Sequence, residues 1–172
     1  MAIGTELMAR ADEIGRLLSR EEGKPLAEGR GEVHRAGQFF TYFAAEALRG
    51  HGDLAESVRP GVEVDVRREP VGVVAIISPW NFPIATPAWK IAPALAFGNA
   101  VVWKPANQTP ASAVALTEII ARQDLPAGCS TSLPGPAALW ARAWSKARAS
   151  TPSASPDRAR WGGGSRPRPS ST

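Results

Sequence analysis

The sequence predicts an α/β fold in which helices flank a parallel sheet, and three observations carry that expectation. Val71-Gly-Val-Val-Ala-Ile-Ile77 is apolar without alternation, as expected of a strand covered on both faces. Ala100-Val-Val-Trp103 has the same character. Each run leads through a loop into a stretch with helical spacing, and the order strand, helix, strand, helix implies parallel strands joined by right-handed crossovers. In such sheets ligands sit at the loops leaving the carboxyl ends of the strands.

Taken from the N-terminus, Thr5 is the expected N-cap of an amphipathic helix in which Leu7, Met8, Ala11, Ile14, Leu17 and Leu18 recur until Gly23. A second helix carries Val33, Ala36, Phe40, Ala44 and Ala47 at steps of three and four and stops at Gly50. Val62, Val64 and Val66 then alternate with Glu63, Asp65 and Arg67, the pattern of a strand with one dry and one wet face. After Val71–Ile77 comes a rigid loop, Ser78-Pro-Trp-Asn-Phe-Pro83. Ile84 to Phe97 reads as a helix that must kink or start irregularly at Pro87 and Pro93, with Gly98-Asn99 as its stop. Lys104-Pro-Ala-Asn-Gln-Thr-Pro110 is the second loop, and Ala111 to Arg122 the helix that follows it.

Length and composition narrow the class. At 172 residues the chain is expected to hold one ordinary core. It has no apolar run of the roughly 18 residues that a membrane helix needs, and no secretory leader is read at its start, so the expected setting is cytoplasmic. One cysteine, Cys129, excludes an internal disulfide and a thiolate zinc site, and His34 and His51 show no metal spacing. No metal site is expected. Residues 1–128 carry 13 basic and 15 acidic groups, whereas residues 129–172 carry 7 basic and 1 acidic. That last stretch contains 9 Ser, 6 Pro, 8 Ala and 4 Gly and no Val, Ile or Phe, so it is expected to be a disordered basic tail.

Three ordered segments resemble a known family: Glu69-Pro-Val-Gly-Val-Val-Ala-Ile-Ile-Ser-Pro-Trp-Asn-Phe-Pro83, Trp89-Lys-Ile-Ala-Pro-Ala-Leu-Ala-Phe-Gly-Asn99 and Val102-Trp-Lys-Pro-Ala-Asn-Gln-Thr-Pro110 are similar to successive signatures of the NAD(P)-dependent aldehyde dehydrogenases. Arg20-Glu-Glu-Gly-Lys-Pro-Leu26 adds to the likeness, which covers about residues 6–128. The resemblance implies a partial, Rossmann-like coenzyme-binding domain over residues 1–128, truncated at both ends, and the oxidation of an aldehyde to a carboxylate with NAD or NADP.

Further implications fall on particular residues. The resemblance makes Asn81 the side-chain donor to the oxyanion formed when a cysteine thiolate adds to the aldehyde, a role worth about 10²–10³ in rate. It makes Lys104 the lysine that reaches the adenosine ribose, with Pro105 and Ala106 beside it, and Ile77, Ser78 and Trp80 part of the cofactor wall. Asn107 stands where many NAD-preferring members carry a glutamate, so NADP is expected to be tolerated on charge alone. The segment from Val62 to Arg67, within a hairpin strand at 61–70, resembles the hairpin through which family subunits associate. Arg59-Pro-Gly-Val-Glu-Val and Trp89-Lys-Ile-Ala-Pro look most like the branch acting on 2,5-dioxopentanoate.

The family's nucleophilic Cys and general-base Glu lie downstream of these motifs. Cys129 follows Lys104 by only 25 residues with no helix start or cation to lower its pKa, so it is not expected to be the nucleophile, and the chain alone is expected to be inactive. If one base was lost near Gly128, Cys129–Arg142 can be written with permitted synonymous codons, chosen for the purpose, whose original frame reads VFNLVAGPGSAVGQ, and Ser150–Trp161 with codons whose original frame reads DAVSFTGSCAVG. Residues 129–172 are therefore expected to be a frameshifted translation of a longer gene. The Gly162-Gly-Gly-Ser165 run follows no strand and reads as low complexity. Two other readings stand beside the enzyme: a non-catalytic nucleotide-binding or subunit-association fragment, and a nucleic-acid binder whose tail cations would give salt-sensitive affinity. A nucleic-acid partner is not the expectation.

Overall fold

The computed structural model describes residues 1–49, 52–126 and 128–132. Of the expected tail, 129–172, residues 133–172 lie outside the described residues, as do Gly50, His51 and Ala127.

Helix α1 spans Ala2–Ala9 and α2 spans Ala11–Glu22. The single helix expected from a Thr5 cap is thus two: the Thr5 N–H donates to the Met1 carbonyl at 3.1 Å, so Thr5 is already inside a helical turn and cannot cap one. The chain breaks at Arg10 (φ −100°, ψ 16°), whose guanidinium binds Glu6 and Glu13 on either side of the break. Gly23 ends α2 as expected, in the left-handed conformation at φ 90°. Pro25 precedes α3, Leu26–Glu46, which starts earlier and ends sooner than the apolar spacing alone suggests.

Helices α2 and α3 cross at two glycines. A Cβ on Gly15 would lie 2.8 Å from the Arg30 main chain, and one on Gly29 would lie 2.7 Å from the Gly15 carbonyl. Only glycine permits so close an approach.

Strands β1, Gly52–Glu56, and β2, Glu63–Arg67, form an antiparallel hairpin in which Leu54 faces Asp65 and Ala55 faces Val64. β1 has no sequence signal, because Gly, Asp, Ala and Glu are all depleted in strands. The expected dry face is also absent: every residue of β2 is exposed, since nothing else among the described residues covers the hairpin.

Strand β3, Val73–Ile77, pairs in parallel with β4, Ala100–Lys104, which pairs in parallel with β5, Ser130–Ser132. The parallel sheet is therefore as expected. Two local expectations are corrected. β3 is not covered on both faces, for Ile76 is buried while Val73 and Ile77 are more than half exposed at the edge of this sheet. Residues 130–132, assigned to the disordered tail by composition, extend the sheet by main-chain pairing, which asks nothing of side-chain hydrophobicity.

Helix α4, Ala85–Ala96, runs through both prolines as one element; Pro87 sits in its first turn, where a missing N–H is harmless. Gly98 (φ 79°) stops it, and the Asn99 side chain accepts from the Gly72 N–H at 3.1 Å. Helix α5, Pro110–Ala121, begins with proline at its first position. One apolar cluster joins all five helices to β3 and β4, with Leu7, Leu18, Val33, Ile91, Val101 and Leu116 fully buried in it. No helix among the described residues is long and apolar enough to cross a membrane.

Candidate coenzyme and oxyanion site

The two loops singled out by sequence leave adjacent parallel strands at the same end of the sheet. The Ser78 N–H donates to the Lys104 carbonyl at 3.2 Å, carrying the β3–β4 ladder one residue past Ile77. The Trp103 indole N–H donates to Ser78 Oγ at 2.9 Å in a buried bond. Lys104 is only 5 % exposed, and its ammonium has no hydrogen-bond or ion-pair partner among the described residues. Its Nζ is not among the buried side-chain atoms left without a partner, so the stem is covered while the ammonium reaches solvent.

Pro105 and Ala106 are buried, Asn107 is exposed, and all three line a cavity of about 350 Å³ walled by the apolar face of α5 at Ala113, Val114 and Ala121. Size and lining suit a flat heteroaromatic group with a polar edge. Ile77, Ser78, Trp80 and Asn81 are not on its wall. Lys104 is not on it either, so of the eight predicted residues Pro105, Ala106 and Asn107 line this cavity.

Asn81 is exposed, and its side-chain amide makes no hydrogen bond among the described residues. Its main chain is held instead. Lys24 Nζ donates to the Asn81 carbonyl at 3.0 Å and to Glu32 at 2.6 Å, lies 3.1 Å from Glu22, and sits 4.3 Å from the centre of the Phe82 ring. Burial works against the charge on Lys24, but the two carboxylates outweigh it and its pKa is raised. Burial pushes Glu22 up, only partly offset by Lys24. Glu32 also accepts from the Ile84 and Ala85 N–H groups at 2.9 and 3.0 Å, satisfying the start of α4. Glu21 does the same for α5, accepting from the Ala111 and Ser112 N–H groups and from Ser112 Oγ.

A second cavity, of about 360 Å³, opens beside Phe82 and is lined by Arg35, Phe39, Ala85, Thr86 and Trp89, with the Phe39 and Trp89 rings stacked at 5.1 Å. Arg35 is exposed and has no carboxylate partner among the described residues.

Lys24, Glu32, Glu21 and Arg35 were not singled out by sequence reasoning. Glu32 does leave a trace, because it interrupts the apolar face that Gly29, Val33, Ala36 and Phe40 form on α3. Cys129 is at the other end of the sheet: its carbonyl accepts from the Val101 N–H at 2.8 Å, at the amino end of β5, about 13 Å of strand from the Asn81 side. Among the described residues no group of three or more His, Cys, Asp or Glu side chains could hold a metal ion.

Comparison with known families decides the lineage of these loops, for the aldehyde dehydrogenase family model matches residues 1–149. The chain belongs to the aldehyde dehydrogenase family. It is 44 % identical over 133 residues to an alpha-ketoglutarate semialdehyde dehydrogenase of Haloferax volcanii, covering 77 % of this chain and 28 % of that protein. Among solved structures it superposes on an NADP-dependent enzyme of E. coli with a TM-score of 0.77 and 42 % identity, covering 79 % of this chain and 28 % of that one. An NADP-dependent glyceraldehyde-3-phosphate dehydrogenase from Bacillus halodurans, solved with NADP, gives 0.76 and 37 %, covering 80 % and 30 %. The chain thus spans about 28 % of the length of the curated relative it matches. With its parallel sheet β3–β4–β5, the fold matches the Rossmann-like fold of its structural neighbours, an aldehyde dehydrogenase from Brucella melitensis among them.

Proposed function

We propose that this chain is the coenzyme-binding part of an aldehyde dehydrogenase that converts an aldehyde with a distal carboxylate, such as 2,5-dioxopentanoate, to the acid with NAD or NADP. The observation that carries this reading is that Asn81, whose amide has no partner among the described residues, and Lys104, whose stem is buried and whose ammonium is likewise unpaired there, stand at the same end of adjacent parallel strands.

In this reading Asn81 donates its side-chain N–H to the aldehyde oxygen as that oxygen gains charge, a preorganised contact stronger in the transition state than before it. Lys104 holds the adenosine ribose, Pro105, Ala106 and Asn107 line the site of the nucleotide, and Ile77, Ser78 and Trp80 border it. NAD(P)⁺, when bound, supplies the hydride acceptor. The apolar cavity beside Phe82 takes the substrate chain, and the unpaired Arg35 guanidinium meets a carboxylate at its far end. The alpha-ketoglutarate semialdehyde named for the Haloferax relative is an aldehyde of that kind.

Cys129, at the opposite end of the sheet, is not the nucleophile in this reading, and this 172-residue chain alone does not turn over. The exposed β1–β2 hairpin, with Val64 and Val66 41 % and 46 % exposed, is the surface through which copies associate. The setting is the cytoplasm. Titration of NAD and NADP into the purified chain and its Lys104→Ala variant tests the reading. Saturable binding lost in the variant supports it, and equal, negligible binding in both overturns it.

A further inference from the structure

Lys24 lies in the short connection between α2 and α3 with a side chain only 9 % exposed. An ammonium has three N–H donors, and three acceptors surround this one: Glu32 Oε2 at 2.6 Å, Glu22 Oε1 at 3.1 Å and the Asn81 main-chain oxygen at 3.0 Å. Glu32 turns its other oxygen to the Ile84 and Ala85 N–H groups. The segment 81–85 is therefore gripped at both ends by charged groups borne on the α2–α3 layer, 52 and more residues away in sequence.

A buried ion pair contributes little to stability compared with apolar residues of the same volume, and its better-attested use is to select one arrangement. Here the arrangement selected is that of a loop whose functional side chain makes no hydrogen bond of its own among the described residues. Without an outside hold, the Asn81 amide would be free to rotate with its backbone.

We propose that Lys24 is a positioning residue for Asn81, acting through the Asn81 carbonyl, with Glu32 as its fixed counter-charge; this rests on the reading of Asn81 as an oxyanion donor. It requires a cation with directed donors at position 24. An apolar side chain of similar length cannot replace it, whereas arginine, which can reach both the carboxylate and the carbonyl, can do so in part.

The test is amide hydrogen exchange by NMR on the full chain without ligand, together with the side-chain amide resonances of Asn81, in wild type, Lys24→Met, Lys24→Arg and Glu32→Gln. In Lys24→Met the exchange of the Ile84 and Ala85 N–H groups, which Glu32 holds, rises about tenfold or more while Leu18 and Leu116 change by less than about twofold. The Asn81 side-chain resonances shift or broaden. Lys24→Arg restores most of the protection. Glu32→Gln keeps Ile84 and Ala85 protected, because an amide oxygen still accepts, yet loosens Asn81. Exchange that rises equally throughout the chain in Lys24→Met, or does not rise at all, overturns the proposal. If Lys24→Met does not fold, the Asn81 side-chain resonances of Glu32→Gln decide: shifted or broadened they support the proposal, and unchanged they overturn it. A loop that loosens as stated in a chain that binds neither nucleotide leaves the positioning role standing and removes the functional reading; an unchanged loop in a chain that binds NADP does the reverse.

Discussion

Trp103 in β4 and Ser78, the residue just past the neighbouring parallel strand β3, are joined by a buried hydrogen bond of 2.9 Å from the indole N–H to the hydroxyl oxygen. The bond ties the exit of β3 to the penultimate residue of β4, just before Lys104. Ser78→Ala removes the acceptor and strands the indole donor away from water, which costs about 1–3 kcal/mol. Urea denaturation is expected to show a lower midpoint with an unchanged slope. A midpoint equal to that of wild type would show that the indole finds another acceptor.

The closeness of α2 and α3 depends on Gly15 and Gly29. Gly15→Ala sets a methyl group 2.8 Å from Arg30 main-chain atoms, which cannot move aside as a side chain would. Overpacking of this kind costs about 1–3 kcal/mol. Thermal unfolding of Gly15→Ala is expected several degrees below wild type, whereas Gly31→Ala, where an added Cβ meets nothing within 4 Å, is expected to leave it unchanged or raise it.

Nucleotide choice is expected to follow charge at position 107. Asn107→Glu puts an anion on the wall of the cavity that Pro105 and Ala106 also line. Repulsion of a 2′-phosphate should weaken NADP about tenfold or more relative to NAD. Parallel titrations of the two nucleotides check this, and an unchanged ratio would place the ribose elsewhere.

Stability is expected to fall at both ends of the pH scale for different reasons. Hydrogen bonds from Arg122 and Arg10 hold the Glu6 carboxyl below its ordinary value of 4.5, and Arg10 does the same for Glu13. Such depressed groups stabilise the fold above their ordinary value, and the contribution is lost as pH falls through the lower folded value. Glu22, raised by burial, works in the opposite sense, since its protonation favours the fold. Lys24, raised by its carboxylates, contributes fully below its ordinary 10.5 and loses that contribution as pH rises through the folded value. Urea midpoints across pH are therefore expected to drop in acid less steeply for Glu6→Gln, and to drop in alkali less steeply for Lys24→Arg.

The proposed frameshift has a direct check. Resequencing the gene from the codon for Leu125 onward is expected to show, in the alternate frame, the coding for VFNLVAGPGSAVGQ and then DAVSFTGSCAVG. A nucleotide sequence that encodes Cys129–Trp161 without either string in that frame would dispose of the idea.

The elements nearest the site were legible from local pattern alone. Two unbroken apolar runs, each followed by a proline-bearing loop and a helical repeat, were enough to locate β3, β4, α4 and α5 and to put Asn81 and Lys104 at the same end of a parallel sheet. Local signals also marked the stops at Gly23 and Gly98, because both need a left-handed backbone that glycine adopts freely. β1 was missed, for its residues carry no strand preference and its partner, not its composition, makes it a strand.

Sequence by itself thus determined where the chain turns, which stretches pair or coil, and which side chains stand at the strand exits. Tertiary structure alone decided what holds those side chains in place: Glu32 reaches across 52 residues to Ile84, Glu21 across 91 to Ser112, and Lys24 across 57 to Asn81. It also decided that β3 shows an open face and that Ser130–Ser132 join the sheet. The physical reason is that periodicity records which face of an element is apolar and says nothing of which surface will cover it. A hydrogen bond between groups so far apart exists only once α2 and α3, meeting at Gly15 and Gly29, have been packed against the helices that the strands launch.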